Sequence, residues 1–339
     1  MIEKKTVLVL GAGASCPYGF PSGQTLIDQI THGVTKGKRI YGLLINFGFK
    51  ESSIKEFSDA LNDSPLSSID IFLETRPEFS KIGRTSIAIA LFPYESVYRL
   101  MYYPRDVRLK LIKGYEGEEN SWYHYLFKQL HDPGVPFGGN QLCVITFNYD
   151  RSFEHFLFLS VKSCYPGKNE SEIASMVQTI SIIHLYGSLG HLPWQQYQVG
   201  LSQNVTPFGD ESLTSENLPK AADSIQIISD NNGVTPEFEK AKEILKNAER
   251  IYFLGFGFYK KNIERLGDEW ANRGSRVPKK IVVMGTSFHL DKTGQTNAYK
   301  FSDGRLSTET TINRMITPSP TLFDEDVYTF LYNHVNFRT

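Results

Sequence analysis

Cysteine is scarce in this chain. Cys16, Cys143 and Cys164 stand far apart, with no C-x-x-C pair among them, so they can build neither a zinc ribbon nor a disulfide framework. A chain without disulfides suits a reducing compartment, and a cytoplasmic location is expected. An excess of one charge is missing as well. The 36 basic and 37 acidic residues leave a formal net charge of −1, which speaks against direct binding of nucleic acid. No apolar run is long enough to span a bilayer, so no membrane is expected as a partner. The stretch from Lys4-Lys5 to Ala14-Ser15-Cys16 mimics a signal peptide, but Gly11 and Gly13 interrupt its short apolar centre.

Two more absences mark the N-terminal motif. Thr6-Val-Leu-Val-Leu10 reads as a buried parallel strand and Gly11-Ala-Gly13 as a turn that lets the backbone approach a ligand. Thr25 to Gln29 reads as the helix whose N-terminal end would face a pyrophosphate. The dinucleotide fingerprint G-x-G-x-x-G is only half present, because Cys16 stands where its third glycine belongs. The acidic end of a second strand is missing too, since residues 31–39 are polar and punctuated by glycine. A hydride-transferring dehydrogenase fits poorly.

What is present is a globular composition, 40% apolar and 13% aromatic, enough to fill a substantial core. Apolar residues at helical spacing recur in 41–49, 54–61, 67–74, 82–91, 95–103 and 121–131. Residues from about 31 to 139 therefore read as a mostly helical insertion between the first strand and the next. Asp70 and Glu74, four apart, share a helix face. They could be paired catalytic carboxylates, but the spacing is read as the solvated side of an amphipathic helix. Tyr98, Tyr102, Tyr103 and Trp122 are read as core packing. His124 and His131 lack partners at ligand spacing, so no metal is expected.

Strand signals return at Gln141 to Thr146, ending in Phe147-Asn148-Tyr149-Asp150, and at Thr179 to His184, followed by Leu-Tyr186-Gly187-Ser188. Ligands of open α/β sheets bind at the C-terminal ends of strands, which places Asn148 and Asp150 at a site. The competing reading is an Asx turn in which Asp150 caps the helix beginning at Ser152. His184 has two readings as well, a hydrogen-bonded structural residue or a proton acceptor at neutral pH. Residues 190–236 carry proline, glycine and polar runs and read as a loop-rich excursion or lid. A helix over 237–249, with Thr235-Pro236 as cap and first turn, leads into a strand ending Gly255-Phe256-Gly257-Phe258. A further strand ends Gly285-Thr286-Ser287, and a final helix is expected over 322–335. The fold class is α/β, a Rossmann-like parallel sheet with helices on both faces. Residues 1–339 form one domain, with the core in about 1–30, 140–190 and 236–339.

The turn Gly11-Ala12-Gly13-Ala14-Ser15 with Gly19-Phe-Pro21-Ser, then Thr-Phe-Asn148-Tyr-Asp150, then His184-Leu-Tyr-Gly-Ser, resembles in order and spacing the catalytic core of the sirtuin, or SIR2-like, superfamily. The resemblance implies that NAD is bound as a substrate, with the insertion covering its nicotinamide-ribose side. It implies that Gly11 to Ser15 and Pro21 hold the pyrophosphate side, with Gly255, Phe256, Gly257, Phe258 and Asn262 forming the next glycine-rich strand end. Thr286 and Ser287 would lie near the adenosine ribose. It further implies His184 as base, Asn148 as the group orienting water or a ribose hydroxyl, and Asp150 as the residue fixing their hydrogen bonds. The four-cysteine zinc module of sirtuin deacylases is absent, and Thr-Phe-Asn-Tyr-Asp replaces their Gln-Asn-Ile-Asp. These departures point to the prokaryotic branch of NAD hydrolases in antiviral defence, working as homo-oligomers or beside a HerA-type ATPase or an Argonaute-like protein. The alternatives are a protein deacylase or ADP-ribosyltransferase, and a non-catalytic module that binds NAD or ADP-ribose.

Overall fold

Five apolar or β-branched residues, Thr6–Leu10, form strand β1, and every one of them is buried. A strand covered on both faces belongs in the middle of a parallel sheet. The computed structural model places it there, and describes residues 1–66, 68–101, 121–132, 134–197, 204–209, 213–227, 235–267, 281–287 and 321–337. After β1 come helices α1 (Gly23–Gly33), α2 (Arg39–Asn46), α3 (Glu51–Asn62), α4 (Ile69–Thr75), α5 (Ser80–Leu91), α6 (Val97–Met101) and α7 (Trp122–Leu130). The chain then alternates: β2 (Leu142–Thr146), α8 (Ser152–Cys164), α9 (Glu170–Val177), β3 (Ser181–His184), α10 (Asn217–Ser224), α11 (Pro236–Asn247), β4 (Arg250–Leu254), α12 (Lys260–Leu266), β5 (Val282–Thr286), β6 (Thr321–Phe323) and α13 (Val327–His334).

The six strands pair in the order β3-β2-β1-β4-β5-β6, and every pairing is parallel. This is the doubly wound Rossmann-like order, whose direction of winding reverses between β1 and β4. Thr6 lies opposite Leu142 on one side and Arg250 on the other, so the C-terminal ends of β1, β2 and β4 come level at one rim. The segment expected to be mostly helical between β1 and β2 contains only helices and their connecting turns among its described residues, with α5 packed against α1, α2 and α10. Tyr102 and Tyr103 lie outside the described residues. Among the described residues no helix is long and apolar enough to cross a membrane.

Two expectations need correction. The end of the chain is not one helix: Thr321–Phe323 adds a sixth strand beside β5 before α13 begins. A three-residue strand is too short to display alternation, which is why periodicity misses it. The excursion after residue 190 is less loop-like than its prolines suggest, since Asn217–Ser224 is helical and packs its Leu218 and Ala221 into the core. Residues 204–209 are strapped down by Arg151, which is fully buried. Its guanidinium donates to both carboxylate oxygens of Glu95, to the Thr206 hydroxyl and to the carbonyls of Gly190, Thr206 and Pro207. Residues 198–203, 210–212 and 228–234 of the excursion lie outside the described residues.

Candidate functional site

The glycine turn after β1 packs against the turn after β4. Gly11 N–H donates to the Leu254 carbonyl at 3.1 Å and Gly13 N–H to that of Gly255 at 3.0 Å. Ala14 and Ser15 donate back to Gly11 and Ala12. Four of the five amides expected to cradle a pyrophosphate are thus bonded within the fold. The same contact explains the glycines. A Cβ on Gly11 would sit 2.6 Å from the Gly255 carbonyl oxygen, and one on Gly255, whose φ is +56°, would sit 2.1 Å from the Ala14 nitrogen. Backbone packed on backbone, rather than backbone on ligand, is what requires residues without side chains here. Two short 3-10 turns, Ala12–Ala14 and Cys16–Tyr18, separate β1 from α1, so the helix does not start at the strand end. Its first turn is capped by Ser22, just after half-buried Pro21, through the Thr25 amide.

Asn148, Asp150 and His184 are brought together with Ser15 around one small cavity. Asn148 Nδ2 donates to the Gly11 carbonyl at 3.0 Å and to Ser15 Oγ at 3.1 Å, and Ser15 Oγ donates to Asp150 Oδ2 at 2.8 Å. Asp150 Oδ1 accepts from the Ser152 amide and hydroxyl at the start of α8. The Ser152 hydroxyl is bonded in turn to Tyr123 from α7 at 2.7 Å. Asp150 is therefore a helix cap and a member of the cluster at once. Burial pushes its carboxyl above the usual range, against the pull of the Ser152 and Ser15 hydrogen bonds. The enclosed volume is about 10 Å³, room for roughly one water and far too small for a sugar ring.

Both ring nitrogens of His184 are engaged within the protein. Its Nδ1 faces the Asn148 carbonyl at 2.9 Å and its Nε2 faces Glu154 Oε1 at 2.9 Å. Both partners carry acceptor oxygens, an arrangement that favours the protonated ring. Burial alone would lower its pKa, but the charge and hydrogen bond of Glu154 and the Asn148 carbonyl outweigh that and hold it above the ordinary 6.5. Sequence reasoning missed Glu154, because nothing at its position on α8 distinguishes it from a solvated helix residue.

The remaining predicted residues divide between packing and the rim. Phe256 and Phe258 are buried, 5.2 Å apart, and belong to the core. Thr286 is buried, with its hydroxyl accepting the Gly255 amide at 2.9 Å. Half-buried Ser287 donates its amide to Phe323 of β6. Gly257 is half-buried, with the Tyr259 ring 3.0 Å from where its Cβ would lie. Asn262 lies on α12, where its Oδ1 accepts from the Tyr186 hydroxyl at 2.8 Å.

That last contact opens onto a second polar group. Arg265 Nη1 donates to Tyr186 at 2.6 Å and to Glu74 Oε1 at 2.9 Å, while Lys261 stands 3.6 Å from Glu74 Oε2. The Tyr149 hydroxyl donates to Asp70 Oδ1. Asp70 and Glu74 are therefore not the solvated face of α4: the Glu74 side chain is 1% exposed and turns onto Arg265 and Lys261 of α12, while Asp70 turns onto Tyr149 after β2. Their four-residue spacing was visible in the sequence; the tyrosines and Arg265 that meet them were not. Cys16, in place of the missing glycine, is a half-buried thiol pushed up to about 11 by burial and by Asp150, so it stays protonated. Among the described residues no group of three or more His, Cys, Asp or Glu could hold a metal ion. No family model and no curated protein matches the chain.

Proposed function

We propose that the chain binds NAD over the rim where β1, β2, β3 and β4 end and hydrolyses its nicotinamide-ribose bond. The observation that carries this reading is the strand order β3-β2-β1-β4-β5-β6, which sets the polar ends of β2 and β3 beside the glycine turn at the switch point. Cleavage passes through an oxocarbenium-like sugar, which buried carboxylates stabilise. Asn148 and Asp150 hold the turn and fix its local hydrogen bonds. The antiviral role, the homo-oligomer and the ATPase or Argonaute-like partner belong to the same proposal and rest on the motif resemblance.

The test is release of nicotinamide and ADP-ribose from NAD by the purified chain, with and without the proteins encoded beside it. NAD left intact in both cases overturns the hydrolase. One observation favours a second reading, a module that binds NAD or ADP-ribose without cleaving it: the imidazole and the Asn148 amide are already engaged within the protein. Saturable NAD binding by calorimetry with no product selects that reading.

A further inference from the structure

Helix α4 carries Asp70 and Glu74 one turn apart, and both meet residues that follow the strands of the proposed site. Tyr149, which bonds Asp70, is the direct neighbour of Asn148, whose amide lies on Gly11. Tyr186, which bonds Asn262 and Arg265, lies two residues beyond His184. The Tyr186 ring stands 5.8 Å from Phe147, which lies 5.1 Å from Phe256 in the turn after β4. The inserted helix α4 thereby brings one carboxylate within a hydrogen bond of the segment that follows β2 and a second onto α12, which follows β4.

We infer that Asp70 is the general base that activates water in this site, in place of His184, whose two ring nitrogens both face partners within the protein; the inference rests on the NAD-hydrolase reading. Asp70 is half-buried, so part of it meets solvent. It accepts one hydrogen bond at each oxygen, from Tyr149 at Oδ1 and from Ser68 at Oδ2, which leaves lone pairs on both. Glu74 is already committed to Arg265 and Lys261. Its Oε2 has no hydrogen-bond donor, so it adds negative potential beside Asp70.

The charged and titratable groups facing Asp70 are Tyr149 after β2, Tyr186 after β3, Glu74 on α4 and Arg265 on α12. Burial, then the Glu74 charge, outweigh the Ser68 hydrogen bond and Arg265 and raise the Asp70 carboxyl to about 6. A base of that strength is ionised at neutral pH yet still takes a proton effectively. In the step, the water oxygen bonds to the anomeric carbon of the nicotinamide ribose. The carbon-nitrogen bond breaks with its electron pair moving to the pyridinium nitrogen, releasing neutral nicotinamide. The water proton passes to Asp70 and then to solvent.

The experiment measures nicotinamide release from pH 4.5 to 8.5 for the full chain and for Asp70→Asn, Asp70→Glu and Tyr149→Phe, with NAD affinity by calorimetry and thermal unfolding alongside. Wild type should gain activity through a midpoint near pH 6. Asp70→Asn should fall about a hundred-fold or more while binding NAD and melting no lower than wild type. Asp70→Glu should recover part of the rate. Tyr149→Phe, which removes a donor to the carboxylate, should move the midpoint to higher pH. An Asp70→Asn protein with the wild-type rate, or one that loses NAD binding together with activity, overturns the assignment and leaves the hydrolase standing. A wild-type chain that never cleaves NAD overturns the hydrolase itself.

Discussion

At the scale of single residues, the His184–Glu154 pair makes the sharpest claim. An imidazole held above its ordinary pKa in the folded protein contributes stability that is complete below pH 6.5 and fades as pH rises through the folded value. Glu154→Ala should cost about 3 kcal/mol at pH 6, because it strands a buried charge, and the penalty should shrink toward pH 9. Urea unfolding across that range measures both. Residue types at strand ends were legible in the sequence, and Asn148, Asp150 and His184 do meet around one cavity. Their states were not legible. Whether a histidine is open to a substrate or engaged within the fold depends here on Glu154 and on the Asn148 carbonyl, and no spacing rule brings those three together.

At the scale of elements, Arg151 joins α8 to a segment far along the chain. Burial pushes the Glu95 carboxyl up while the Arg151 charge pulls it down, and both side chains are fully enclosed. Arg151→Ala should cost about 3 kcal/mol and open residues 204–209 to limited proteolysis, read as a new cleavage in that segment at temperatures well below unfolding. An intact 204–209 segment in the variant would show that the strap is redundant. Most of the helices and five of the strands were legible because each carries a period of 3.6 or a compact apolar run, whereas Asn217–Ser224 and Thr321–Phe323 were not. Asp70 and Glu74 were misjudged as solvated because a helix face says nothing about what covers it. The glycines of the first turn were legible as a close approach, but not as an approach by Gly255 rather than by a ligand.

At the scale of the whole molecule, the succession of strands and helices made an α/β class readable, and the crossovers between parallel strands demanded a wound sheet. Which strand sits beside which is set by contacts between distant segments, and β6 entered only through its pairing with β5. The central position of β1 has a consequence for biogenesis. Thr6–Leu10 leaves the ribosome well before the strands that will flank it, Leu142–Thr146 and Arg250–Leu254. Pairings so far apart in sequence form slowly, and meanwhile the oily N-terminal strand has nowhere to dock. A fragment ending at residue 140 should bind an apolar dye and melt without cooperativity, whereas the complete chain should show one sharp transition. During translation, this strand must wait, shielded by a chaperone or by the nascent helices, until its last neighbour arrives.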